Sequence, residues 1–285
     1  MAFNDLQQKA ISEYSVFAAH KNLAKLELFS HTFTELDGRP GESIAVPTYD
    51  LSASADFVAG TNDYGTGVNE VGGMLVSLDK HLVKSVAISD KELAYTGINW
   101  AKDTAAALAE RITRDVNGYV FGLINSTNCS LSAEFDATAK TVVASLYATA
   151  EDNDIPVDRC VVVLNPTQYA KVLSLVDYNV IGSGDYVQTG VINGLFGFKG
   201  FVCSSNLPES AKGAIILDEA MGIASKYLAP MTESAYPEAW AITTESGFTL
   251  GARRFMNLNT GSDIFAMDAL FGAKLLQPNK VVRLV

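Results

Sequence analysis

Apolar residues return every four positions from Trp100 to Ile124: Trp100, Thr104, Leu108, Ile112, Val116, Val120 and Ile124, widened by Ala105, Tyr119 and Leu123. Such a stripe marks one face of an amphipathic helix. Asp103, Glu110, Arg111, Arg114 and Asp115 lie mostly off it, so the spacing predicts a helix over 100–125 with one buried face. At 1.5 Å per residue it would be about 39 Å long. Just before it the period changes to two. Met74, Val76, Leu78, Leu82, Val86 and Ile88 share one side of an extended segment, with Ser77, Asp79, His81 and Ser85 on the other. Ile44, Val46 and Thr48 form a second alternating run, and Pro47 suits an edge strand.

Between these two runs lie five glycines in the fourteen residues 60–73. The pattern predicts a hairpin arm over 41–95 with a Gly-rich tip. Fifteen strand residues would extend about 50 Å, and a two-stranded hairpin is marginal alone in water. Its apolar side must therefore rest on something. Two supports are open: a neighbouring copy of the chain, or the arm's own domain in an ordinary meander.

The remaining pattern is mixed. Leu6, Ala10, Tyr14 and Phe17 form one helical stripe within residues 1–40, which close on Gly38-Arg39-Pro40-Gly41. A second helix is predicted over 137–150, with Val142, Val143, Leu146 and Tyr147 inward, strands over 214–217, 264–276 and 280–285, and a long β region over 240–255. The run Val161 to Leu164 is a short buried strand stopped by Asn165-Pro166, and a short amphipathic helix follows through Gln168, Tyr169, Ala170, Val172 and Leu173. Then come Gly182-Ser183-Gly184-Asp185, Gly190-Val191-Ile192 and Gly197-Phe198-Lys199-Gly200-Phe201-Val202, with Ser204-Ser205-Asn206-Leu207-Pro208 after them.

Composition narrows the function. The 285 residues are 48% hydrophobic and 19% charged, below the charge of a typical soluble domain. That suits either a well-filled core or extensive subunit contact. With 21 basic and 32 acidic side chains, the net charge is −11, which disfavours nonspecific grip on a phosphate backbone. Cys129, Cys160 and Cys203 lack any CxxC spacing and suit buried thiols in a reducing compartment. The N-terminus shows no signal-peptide pattern and no apolar run is long enough to span a membrane, so synthesis in the cytoplasm is expected.

Catalytic motifs are missing. His20, His31 and His81 are far apart, without HxH or HExxH spacing. Asp152 and Asp154 open like a calcium loop, but Pro156 and Val157 break it. Gly65, Gly67 and Gly72 do not make a dinucleotide fingerprint, Gly182-Ser183-Gly184 lacks the phosphate-loop Gly-Lys-Ser/Thr, and no GxSxG elbow occurs. No catalytic, cofactor or metal residues are expected. An enzyme whose site is assembled from distant residues stays open as an alternative.

The order of these parts resembles the major capsid proteins of tailed double-stranded DNA bacteriophages, the Hong Kong 97-type α+β fold. The stretch Val161 to Pro208 resembles that family's axial domain, and Phe271 to Pro278 with Val281 to Leu284 its closing strands. The resemblance implies an N-terminal arm at 1–40, an extended loop at 41–95, a peripheral domain with a spine helix at 96–135 and 240–285, and an axial domain at 136–239. It implies pentamers and hexamers tiling an icosahedral shell around double-stranded DNA, without sequence-specific binding. Tyr49, Leu51, Tyr64, Val76 and Leu78 on the extended loop, Tyr178 and Tyr186 near the capsomer centre, and Arg253 and Arg254 would then contact neighbouring subunits. A solvated surface role for the two arginines is the other reading. Implied partners are a portal protein, possible decoration proteins and, with about 40 residues before the hairpin, a separate scaffolding protein. Some members crosslink through a Lys on the loop; none occurs between Gly60 and Gly73, while Lys80 and Lys84 sit on the returning strand, so a noncovalent shell is expected. An encapsulin-type nanocompartment shares the fold and is the near alternative.

Overall fold

The computed structural model describes residues 5–33, 43–50, 70–89, 91–92, 100–136, 138, 141–175, 191–193, 196–229 and 238–285. Helix α1 (Asp5–Glu27) leads into β1 (Ser30–Phe33). Strands β2 (Ser43–Asp50) and β3 (Glu70–Ser77) form a two-stranded ribbon, and β4 (Lys80–Ser89) follows. Helix α2 (Trp100–Gly122) precedes β5 (Leu131–Ala133) and α3 (Val142–Asp152). Next come β6 (Cys160–Leu164), α4 (Pro166–Leu173), β7 (Val191–Asn193), β8 (Gly200–Cys203), β9 (Gly213–Leu217) and β10 (Met221–Lys226). Strands β11 (Glu238–Thr243), β12 (Thr249–Asn257), β13 (Ser262–Leu275) and β14 (Val281–Leu284) close the chain.

Two sheets of six strands each carry the fold among the described residues. The first is organised by β13. It pairs with β12 through Ser262 to Asp268 and with β10 through Leu270 to Leu275, while β4 pairs along Ser262 to Phe271. Because β4 and β10 both pair at residues 270 and 271, they occupy opposite edges of β13. Its odd-numbered residues Phe265, Met267, Ala269 and Phe271 are buried. Helix α2 covers them: Tyr119 meets Phe271 edge to face at 5.5 Å between ring centroids. The expected stripe of α2 is the observed one, with Leu108, Ile112, Val116, Val120 and Ile124 buried and Arg111, Arg114 and Asp115 exposed.

The second sheet runs β5-β14-β9-β6-β8-β7. Its central strand β6 is buried at all five residues. Asn165 then caps α4, its side-chain oxygen accepting from the Gln168 amide at 2.9 Å, with Pro166 at the first turn. This explains why a strand switches to a helix within two residues.

The structure corrects four expectations. First, the buried stripe of α1 is Ile11, Ser15, Ala19, Leu23 and Leu26, whereas Tyr14 and Phe17 face out, Phe17 at 79% exposure. The buried side packs on α2, where Asn22 donates to the Glu110 carbonyl and Thr113 hydroxyl, and Asn117 donates to the Asn22 carbonyl at 2.7 Å. Second, the run Met74 to Ile88 is two strands, broken at Leu78-Asp79. Third, Tyr147 is not inward; it is partly exposed, with its ring edge on Phe198. Fourth, the sheets cut across the expected boundaries. Strand β10 lies in the 136–239 segment but joins the first sheet, and β14 lies in the 240–285 segment but joins the second.

Candidate assembly surface

The ribbon packs on the first sheet at its base. Its register sets Ile44 opposite Val76 and Val46 opposite Met74. Val76 is fully buried against Ala224 and Leu276, with Phe33, Ile44, Val46, Met74 and Leu78 around them. The base of the ribbon thus satisfies its apolar side within the subunit. Within the subunit Val76 is fully buried and Leu78 is half-buried in the same cluster. Tyr49 stands opposite Val71 in the ribbon. Leu51, Tyr64, Tyr178 and Tyr186 lie outside the described residues, as do residues 51–69 of the Gly-rich tip region and the 176–190 loop.

Single apolar side chains of β3 and β4 are exposed. Leu75 is 52% exposed and Val83 58% exposed. Val86 is on the α2 side of β4, opposite Phe265, and is still 40% exposed. At the far end of the same sheet, Met256 and Leu258 project from the β12–β13 turn, Leu258 at 83% exposure.

Arg253 and Arg254 sit on opposite faces of β12, and both are engaged within the subunit. On one face, Arg253 Nε donates to Asp268 Oδ1 at 3.2 Å and its Nη2 to the Leu228 carbonyl at 2.7 Å. His81 Nε2 lies 3.2 Å from the same carboxylate's Oδ2. The Asp268 side chain is 5% exposed, and Gly251, its cross-strand partner, leaves room for it: a Cβ there would overlap the Asp268 carboxylate. On the other face, Arg254 lies 2.5 Å from Asp263 Oδ2 and 3.5 Å from Glu238 Oε2. Hydrogen bonds and charge from these two acids hold the Arg254 guanidinium above its ordinary range against the opposing effect of burial. Asp263 and Asp268 lie in β13 and Glu238 in β11, so every acid these arginines use sits on a strand other than their own. The sequence offered no local signal for either pairing, because both depend on cross-strand register.

Among the described residues, no group of three or more His, Cys, Asp or Glu side chains could hold a metal ion, and no helix is long and apolar enough to cross a membrane. Burial pushes the Cys160 thiol up to about 12, with Asp158 and Asp218 adding to the effect. Cys129 and Cys203 are also raised by burial. These thiols are poor nucleophiles.

Comparison with known proteins places the chain. A family model described as phage capsid protein matches residues 72–284. No curated protein matches. Among solved structures, a chain described as Mycobacterium phage Che8 superposes with a TM-score of 0.61 at 16% identity, covering 91% of this chain and 90% of that one. The capsid structure of the cyanophage P-SCSP1u gives 0.61 at 15% identity, covering 91% and 86%. A virus-like particle from Pyrococcus furiosus gives 0.62 at 13% identity, covering 97% and 98%. At these identities the superpositions establish the fold.

Proposed function

This chain belongs to the phage capsid protein family, a structural family with the Hong Kong 97-type fold; from that premise we propose that its copies assemble into the pentamers and hexamers of an icosahedral shell enclosing double-stranded DNA. The family match over 72–284 carries this reading. It favours a phage shell over an encapsulin-type compartment, which the superpositions alone would not separate, since one of them is a virus-like particle.

In this reading, the first sheet with α2 is the peripheral domain and the second sheet with α3 and α4 the axial domain. The ribbon is the base of the extended loop. Exposed Leu75 and Val83 supply apolar area to the adjacent subunit, while Arg253 and Arg254 brace the sheet from within rather than bridging copies. The chain's charge of −11 suits a lining that confines DNA without gripping it. A portal protein, a separate scaffolding protein and decoration proteins are the proposed partners, and assembly takes place in the host cytoplasm.

Negative-stain microscopy of the expressed full chain, with its scaffold if required, tests the proposal. Closed spherical particles tens of nanometres wide are expected. A monodisperse monomer or dimer under all assembly conditions would refute it.

A further inference from the structure

Arg253 and Arg254 each hold a carboxylate; Arg283 does not. It lies in β14 at 8% exposure. Among the described residues its guanidinium makes one hydrogen bond, from Nη2 to the Ser210 hydroxyl, and its Nε is buried without an acceptor. A second cation shares the corner. The Lys212 ammonium donates to the Phe135 carbonyl at 2.7 Å, and no carboxylate lies within ion-pair distance of it among the described residues.

Strand alternation puts the two side chains on one face. Arg283 stands between Ser132 of β5 and Ala214 of β9. Lys212 precedes Ala214 by two residues, and its amide extends the ladder by donating to the Leu284 carbonyl at 2.8 Å. The pair are therefore diagonal cross-strand neighbours. The acids closest in sequence, Glu134, Asp136 and Glu209, are exposed and pair with neither. The charge is felt locally: burial raises the Cys129 thiol, and Arg283 pulls it back down.

A guanidinium removed from water without a counter-charge is unfavourable, and its fork of donors fits a planar oxyanion. We propose that the Arg283–Lys212 corner is an oxyanion site, occupied in the assembled shell by a carboxylate from a neighbouring copy. The source follows from charge: the chain carries 32 acidic side chains against 21 basic ones, so a close-packed layer of copies surrounds this corner with carboxylates. The choice of occupant rests on the shell reading above; the site itself does not.

The test compares wild type with Arg283→Met and Lys212→Met, as unassembled chain and as particles. Unassembled Arg283→Met should melt at or above the wild-type temperature, because an unpaired buried cation is gone. Particles of either variant should dissociate at lower urea and need about tenfold more subunit to form, the scale of one lost charged contact. Equal dissociation midpoints for wild type and both variants would overturn the proposal. Should Arg283→Met not fold, Lys212→Met decides alone. If wild type forms no particle, the shell reading and the neighbour's carboxylate fall together, and inorganic phosphate then tests the site on the unassembled chain. A rise in the wild-type Tm over sodium chloride of equal ionic strength, absent in Lys212→Met, supports the site; no rise removes it.

Discussion

The carbonyl oxygen of Ser77 lies so close over Gly272 that a Cβ at residue 272 would overlap it. Ser77 ends the ribbon strand β3 and Gly272 lies within β13, opposite Ala224 of β10. The ribbon base therefore meets β13 through a backbone-to-backbone contact that only glycine admits. Gly272→Ala should displace the ribbon base and destabilise the subunit by about 1–3 kcal/mol, the usual range for overpacking. Chemical denaturation measures the loss, and faster proteolysis within 43–77 would show that it starts at the ribbon. Unchanged stability would mean that the contact is slack.

The Arg254–Asp263–Glu238 cluster is predicted to behave as a buried ion pair. Asp263→Ala removes the shorter of the two acid contacts described for Arg254 and leaves the longer one to Glu238. Removing one partner of such a pair costs about 3–5 kcal/mol. Arg254→Met with Asp263→Asn should recover part of that loss. A double-mutant cycle by urea denaturation reads the coupling, and a coupling near zero would contradict the geometry.

Exposed apolar residues should separate folding from assembly. Leu75→Gln and Val83→Thr alter side chains that are 52% and 58% exposed. Subunit stability should change by no more than about 0.5 kcal/mol, as for ordinary surface sites. Particle yield, measured by sedimentation, should fall. Full yield from the double variant would show that this side of the ribbon and β4 is not buried in the shell.

Cys160 sets an alkaline limit. Its thiol is held up to about 12 in the folded chain against an ordinary 9.0. The folded state thus keeps a proton that the unfolded state gives up. Its contribution is intact below pH 9 and is lost as the pH climbs towards 12. Cys160→Ala should flatten the fall in stability across that window, seen in urea midpoints at successive pH values. In the native protein at pH 8 the thiol should resist alkylation. An identical pH profile for the variant would sink the assignment.

The expected shell should also be noncovalent, because the loop run Gly60 to Gly73 contains no Lys. Mature particles should give a single monomer band on a denaturing gel; ladders would refute this.

Much of the architecture was legible. The α2 stripe could be read because its buried residues are large and apolar at helical spacing, so one face dominates. The Asn165-Pro166 stop could be read because both residues have local roles, one as cap and the other as first-turn residue. The stripe of α1 could not. Its buried face includes Ser15 and Ala19, small side chains that allow close approach to α2, while Phe17 faces out. Hydrophobicity alone therefore points to the wrong side.

Local periodicity determined that the segment from Trp100 is a helix, which of its faces is buried, and that Met74 to Ile88 is extended. These depend on neighbours a few residues apart, whose spacing is set by backbone geometry. Tertiary structure decided the rest. The break at Leu78-Asp79 exists because β4 pairs with β13 and β3 with β2, and alternation reads the same through it. The partners of Arg253, Arg254 and Arg283 follow from register between strands far apart in the chain. So does the support of the ribbon's base, since burial of Val76 depends on Ala224 and Leu276, more than a hundred residues away.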